Sequence, residues 1–445
     1  MNGKSLFHSV ELKDDSCKGC TICVTTCPVE AIRVHNGKAH IREEQCIDCG
    51  ECIRKCPNRA KYARTNQLSE ISNYEYNIAL VAPAFYAQFN EKYSREQIEK
   101  AILSLGFDQV YDVSDFASVI TELSAEFIAK NRFEMQIPKP IISSSCPTIL
   151  KLIQIRFPSL IEHIIPIIPP SEFAGIYARK NAPQDKKTGI FFISPCPAKV
   201  TLVRSPLGFQ KSEVDGVFST SEMYLPVLQA VGKVASQEKA AAALSEENLE
   251  NTENPVSAEK ETESLPSFIW CSASGEAVCL EKELSKLDID FKWINASGLS
   301  QAVKILEEAE DGLYGQFDFL EIDACEGGCL GGPLTVIPSP VAEATIRRTK
   351  KYHFVKIEKP ELSEVLFSKE ILPRPSRILD ADFAKARRML ESMENIYQQL
   401  GGLDCGSCGS PSCRALAEDI VKGKAKKEDC IIVLKALYEQ MIFGD

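Results

Sequence analysis

Eight cysteines near one end constrain this chain more than any other feature in it. Cys17, Cys20, Cys23 and Cys27, then Cys46, Cys49, Cys52 and Cys56, read twice as C-x2-C-x2-C-x3-C, and a proline (Pro28 or Pro57) follows each run. Three closely spaced thiolates wrap a loop around one [4Fe–4S] cubane, and the distant fourth crosses to the other, stapling the two halves together. The spacing assigns one cluster to Cys17, Cys20, Cys23 and Cys56 and a second to Cys46, Cys49, Cys52 and Cys27. The intervening segment AIRVHNGKAHI predicts a hairpin turned at Asn36 and Gly37. The chain holds 18 cysteines in 445 residues, and MNGKSLFHSVELKDD has no apolar core of a secretory signal. A cytoplasmic location is therefore expected, and metal explains the cysteines better than a disulfide framework. The rest of the composition is that of a globular protein of several domains, 44% hydrophobic and 25% charged. No apolar run is long enough to predict a membrane span. A net charge of -11 argues against nucleic acid as the main partner.

Towards the other end, Cys405, Cys408, Cys413 and Cys430 read C-x2-C-x4-C-x16-C within LDCGSCGSPSCRALAEDIVKGKAKKEDC. Gly406 and Gly409 allow the backbone close to an inorganic cluster. Ser410 and Pro411 suit the start of a helix. A third [4Fe–4S] cluster is the favoured reading and a four-cysteine zinc site the alternative. Four further cysteines are far apart: Cys146 in SSSCPT, Cys196 in SPCPAK, and Cys325 and Cys329 in EIDACEGGCLGG. Each motif follows an apolar run that reads as a buried strand. Open α/β sheets place their sites in the crevice beyond such strand ends, so these four could serve one more cluster.

These three motifs, in this order behind a two-cluster ferredoxin segment, resemble the [FeFe]-hydrogenase family, whose signatures are commonly written TSCCPxW, MPCxxK and ExMxCxxGCxxG. The resemblance covers residues from about 10 to about 435. It implies a ferredoxin-like two-cluster domain, a two-lobed α/β hydrogenase domain and a small helical C-terminal iron–sulfur domain. It implies that Cys146, Cys196, Cys325 and Cys329 ligate the cubane of an H-cluster. Cys329 would bridge to a diiron subsite carrying CO, cyanide and azadithiolate. Pro83 and Ala84 would belong to the apolar lining beside the diiron site, and Lys199 would line the pocket or lie at the surface. The implied chemistry is cleavage of H2 or its reverse, with H2 and protons as substrates.

Several residues depart from the family pattern. Ser145 stands where a proton-shuttling cysteine is usual. Ser194 and Asp323 replace methionines beside the diiron site, and Ile149 replaces a tryptophan. Ile168 falls where the alignment expects a lysine that hydrogen-bonds a cyanide. Of two relay glutamates expected in TELSAEF, Glu126 is kept and Leu123 occupies the other place. A hydroxyl is a weaker acid than a thiol, so relay through Ser145 is expected to be slow. These departures and the C-terminal module resemble the sensory branch of the family, without a PAS domain. An H2-converting or H2-sensing enzyme is therefore expected, working with a redox or signalling protein. The alternative is an electron-transfer or iron–sulfur assembly protein on the same fold, lacking the diiron site.

Three domains follow: residues 1–75, 76–372 and 373–445. An acidic insertion over 233–266, rich in glutamate, reads as a flexible loop or docking arm. Strands are expected in NIALVAPAF, PIISS, GIFFIS, SFIWCSA and FLEIDA, with helices such as SREQIEKAILSLG between them. In ADFAKARRMLESMENIYQQL, Leu390, Met393, Tyr397 and Leu400 form an apolar stripe that packs within the chain or against a second copy. Cys271 and Cys279 are left without a cluster role. Cys271 is placed on a strand facing the lobe interface.

Overall fold

A computed structural model describes residues 7–135, 137–246, 267–348, 355, 357–376 and 378–443. The chain divides into two compact units. One comprises Met1–Arg64, Lys151–Pro158 and Leu372–Asp445; the other comprises Thr65–Leu150 and Ser159–Ile371.

In the first unit, β1 (Val10–Leu12) pairs antiparallel with β4 (Lys61–Ala63), and β2 (Ile32–His35) with β3 (Lys38–Ile41). The β2–β3 hairpin turns at Asn36 and Gly37, both at positive φ (51° and 73°), as its Asn-Gly sequence predicts. Cysteine side chains supply much of the small core here: Cys17 and Cys23 are buried with Val24, Ile32, Ala39 and Ala60. Lys151 donates to Asp48 at 2.6 Å in a buried ion pair. The C-terminal part is helical. The helix Phe383–Tyr397 packs on the helix Cys413–Val421 through Met393, Ile396, Leu400 and Leu416. Met393 and Leu400 of the predicted stripe are thus used within the chain, while Leu390 is exposed. The helix Cys413–Val421 starts later than Ser410 and Pro411 suggest. Ser412 is its cap, accepting from the Ala415 N–H at 3.1 Å. A last helix, Ile431–Phe443, leaves Ile431, Leu434, Tyr438 and Met441 exposed.

The second unit is α/β. Strands β5 (Tyr76–Val81), β6 (Gln109–Asp112), β8 (Thr188–Ser194) and β9 (Gly216–Ser219) form a parallel sheet in the order β6-β5-β8-β9. Strands β7 (Ile141–Ile142), β10 (Trp293–Ser297) and β11 (Phe319–Asp323) form a second parallel sheet, β10-β11-β7. Every residue of β8 is buried, which accounts for its unbroken TGIFFIS run. Ile78, Leu80, Ile190 and Phe192 from the first sheet share one core with Ile141 and Phe319 from the second.

Two sequence expectations need correction. SFIWCSA is not a strand: Ser267–Cys271 is a 3-10 turn leading into the helix Gly275–Ser285. The turn is so tight that a Cβ at Gly275 would lie 1.9 Å from the Ile269 carbonyl oxygen, so only glycine fits. The segment expected to be flexible from residue 233 instead continues the helix Thr220–Glu246. Its alanines, glutamates and lysines are strong helix formers. Glu238 is also held by Gln97 at 2.7 Å and Lys100 at 2.5 Å. Residues 247–266 of the acidic segment lie outside the described residues.

Candidate active site

Parallel strands point their carboxyl ends the same way, and here four of them end at one cavity. Ala82, Pro83 and Ala84 follow β5, Ser145 and Cys146 follow β7, Pro195 and Cys196 follow β8, and Ala324 and Cys325 follow β11. Cys329 completes the group from the glycine-rich turn Gly328–Gly331. The next residue, Gly332, passes so close to the Cys196 turn that a Cβ on it would lie 2.4 Å from the Pro195 carbonyl oxygen. The Leu334 N–H fixes this approach by donating to that same oxygen at 3.0 Å.

The four cysteines are partly buried, and the environment disfavours the charged form of at least Cys146 and Cys329. Burial, the Asp323 carboxylate and Cys196 push Cys146 up to about 12. Burial also raises Cys329, and Lys199 opposes the rise. Lys199 is the cavity's cation, with Nζ 3.9 Å from Cys329 Sγ and over the Phe192 ring at 5.8 Å. Burial works against its charge, but the thiols of Cys329, Cys196 and Cys146 and the Asp323 carboxylate outweigh that and raise its pKa. Asp323 Oδ2 is buried without a hydrogen-bond partner among the described residues. Four convergent thiols, a buried cation and an unpartnered polar atom suit an anionic metal cluster with polar ligands.

Four sequence-based assignments change place. Glu126 does not reach the cavity: its carboxylate is 39% exposed and pairs with Lys130 at 3.2 Å and Lys359 at 3.3 Å. Those lysines, with the Lys130 hydrogen bond foremost, hold it below the usual carboxylate range. Ser194 lies behind the wall, where its hydroxyl accepts from the Cys196 N–H at 3.2 Å. Ile168 is buried in the core, its N–H donating to Val365. Position 168 therefore brings no side chain to the cavity, and the lysine that lines it is Lys199 of the SPCPAK motif. Cys271 lines the cavity from a turn rather than a strand, with its thiol directed at the Phe268 carbonyl at 3.3 Å.

Sequence reasoning missed two carboxylates in the wall, Glu276 and Glu321. Glu276 accepts from the Ser143 hydroxyl at 2.6 Å, the Ser145 N–H donates to that same hydroxyl at 3.1 Å, and both serines favour the charged carboxylate. Burial pushes it up to about 7 despite both hydroxyls. Glu321 accepts from the Ala277 N–H at 2.7 Å. It lies well above its ordinary value through burial and the nearby charges of Asp323 and Glu276. Asp323, buried and facing Glu276, is pushed up to about 7. Three acids therefore share one pocket and cannot all be ionised together.

The other cysteines also gather into groups. Cys17, Cys20, Cys23 and Cys56 line one small cavity. Cys27, Cys46, Cys49 and Cys52 are close enough to raise one another's proton affinity, on top of the larger effect of burial. Lys61 Nζ is buried with no partner among the described residues and acts on both Cys23 and Cys52, where an anionic cluster would pair with it. Cys408, Cys413 and Cys430 share one apolar cluster, and Cys405 is exposed beside Cys408.

Residues 75–333 match the family model for the iron only hydrogenase large subunit, C-terminal domain. Residues 9–57 match a 4Fe-4S dicluster domain, and residues 400–432 match an Fe–S cluster model. The chain is 22% identical over 306 residues to iron hydrogenase 1 of Clostridium pasteurianum, a match covering 61% of this chain and 52% of that protein. It thus spans about half the length of that relative. Similar solved structures include two variants of [FeFe]-hydrogenase HydA1 from Chlamydomonas reinhardtii, each 16% identical. One has a TM-score of 0.45 and covers 69% of this chain and 94% of that one; the other has a TM-score of 0.42 and covers 63% and 87%.

Proposed function

Because the chain belongs to the iron-only hydrogenase family, we propose that it interconverts H2 with protons and electrons. The site would be an H-cluster held by Cys146, Cys196, Cys325 and Cys329, and turnover would be slow enough to suit sensing. When bound, such a cluster supplies heterolytic cleavage of H2 and the reverse reaction.

This chain's own residues would position the cluster, balance its charge and carry the proton. Lys199 offsets the negative charge of the thiolates and is placed to hydrogen-bond an anionic ligand. Ala82, Pro83, Ala84 and Phe192 give that part of the wall an apolar surface, which keeps water away from the reacting atoms. The observation that carries the reading is the placement of Ser145 and Glu276 together in the cavity wall, joined through Ser143. A hydroxyl is a poor acid, but one beside a carboxyl with a pKa of about 7 can pass a proton on while it receives another. Glu276 thus takes the proton role that Glu126 cannot fill, and Glu321 and Asp323 compete with it for the charge. The thiol-to-hydroxyl change at 145 supports slow turnover. Three accessory [4Fe–4S] clusters at the remaining twelve assigned cysteines would carry electrons to a redox or signalling partner. With a net charge of -11 before any cluster is added, that partner would present a basic face, and the association would weaken with salt.

Infrared spectra of matured protein under H2 and under CO test this reading. Bands of iron-bound CO and cyanide are expected, and H2 should reduce the accessory clusters. Protein with a full set of cubanes but neither those bands nor a response to H2 would instead be an electron carrier or assembly protein on the hydrogenase fold.

A further inference from the structure

The C-terminal cysteine group is packed against one particular group of the N-terminal segment. We infer that the cluster held by Cys405, Cys408, Cys413 and Cys430 exchanges electrons directly with the one held by Cys17, Cys20, Cys23 and Cys56. We infer also that Asp419 with Arg33 and Arg42 positions it there. The inference rests on the reading that all three accessory clusters are present.

The contact is made by backbone. The Val34 N–H in β2 donates to the Gly409 carbonyl at 2.8 Å, and Gly409 directly follows Cys408. Gly409 has φ 83°, and a Cβ there would lie 2.1 Å from the Val34 carbonyl oxygen, so no other residue allows this approach. Val34 in turn lines the cavity formed by Cys17, Cys20, Cys23 and Cys56. One residue of the hairpin and one hydrogen bond therefore separate the Cys408 loop from that cavity. Gly406, directly after Cys405, is pressed against Thr25 at the end of the short helix that carries Cys23. The transfer is a single electron: one cluster is oxidised as the other is reduced, with no bond made or broken and no proton moved.

A buried ion cluster fixes this seam. Asp419 is fully buried, accepts from Arg33 Nε at 2.5 Å, and also accepts from Arg42 Nη2. Arg33 stands on β2, Arg42 directly follows β3, and Asp419 is on the helix that begins with Cys413. Glu418, beside it, reaches Arg42 at 3.5 Å and Lys422 at 2.7 Å. Removing one partner of such a buried pair strands the opposite charge, so the helix would swing away rather than stay. Cys405 is exposed, which makes this end of the relay accessible to a redox partner.

Electron paramagnetic resonance of the reduced, fully loaded chain tests the assignment, because neighbouring reduced clusters split and broaden one another's signals. In Cys49→Ser, which disables the cluster of Cys27, Cys46, Cys49 and Cys52, the splitting between the remaining two accessory clusters should persist. In Cys20→Ser the C-terminal cluster should give an uncoupled signal. Asp419→Asn should keep its iron, lose the splitting and take up deuterium faster over 404–421 and 31–42. Gly409→Ala should repeat the loss of splitting without touching the ion cluster. Coupling that survives Cys20→Ser and disappears in Cys49→Ser would overturn the inference while leaving three clusters in place. Iron one accessory cluster short in the unmutated chain would instead remove the underlying reading and the inference with it.

Discussion

Glu276 shows what a carboxyl becomes when water is withdrawn and hydroxyls replace it. No motif marks it: GEAVC is unremarkable as a string, and only the packing of the helix Gly275–Ser285 brings it to Ser143 and Ser145. Glu321 differs: it opens the EIDACEGGCLGG motif, but the string does not tell that its carboxylate reaches the cavity wall. Glu126 has the opposite history, since its place in TELSAEF is legible but the side chain faces solvent and two lysines. Glu276→Gln keeps the shape and removes the titrating group, so H2 turnover should fall by roughly 10²-fold, the lower end of what acid–base catalysis contributes. The infrared bands should be unchanged. Ser145→Cys restores a more acidic relay group and should raise turnover, and flat activity with an intact cluster would refute the role given to Ser145. The raised pKa of Glu276 also has a thermodynamic sign. Between its ordinary value of 4.5 and about 7 the folded chain binds the proton that the unfolded chain releases, so stability falls as pH rises through that window. In thermal melts of the apoprotein, Glu276→Gln should therefore gain relative to the unmutated chain between pH 5 and pH 8.

The elements that carry cysteines were legible wherever an apolar run ended in a cysteine motif. GIFFIS and FLEIDA match β8 and β11, and the Asn-Gly hairpin turns where expected. The strands β6, β9 and β10 were not foreseen, because QVYD, GVFS and WINAS are short and mixed, and they become strands only by pairing with the buried apolar strands β5, β8 and β11. SFIWCSA failed for the opposite reason: its apolar side chains suit a strand, but the close approach of Gly275 to Ile269 folds it into a turn. Such close approaches also set the site's precision. Gly332→Ala places a methyl group against the Pro195 carbonyl, and the resulting backbone shift costs about 1–3 kcal/mol. The Cys329 turn would move away from Cys196, so matured protein should lack one cluster's worth of iron. The ferredoxin-type signals should remain. A full iron complement in that variant would show that the turn tolerates the shift.

At the scale of the whole molecule, the cysteine spacing gave the number of groups, and the structure showed how the chain is apportioned among them. One compact unit is assembled from both ends of the sequence and the short stretch Lys151–Pro158, a division no composition shift announces. The iron count tests the grouping: 16 of the 18 cysteines were assigned to four cubanes, so mutating Cys279 should leave the iron content unchanged. Cys271 is the more sensitive of the unassigned pair, because its thiol lies in the cavity wall. The discontinuity also imposes an order in time. Arg33 and Asp419 are 386 residues apart, and at about 5–20 residues per second a ribosome needs about 20–80 s to make the second after the first. During that interval the hairpin's arginines have no carboxylates to meet, and the first eight cysteines emerge long before the C-terminal part that completes their unit. Cluster delivery to this end of the protein must either wait for the last part of translation or begin on a nascent chain that is only half enclosed.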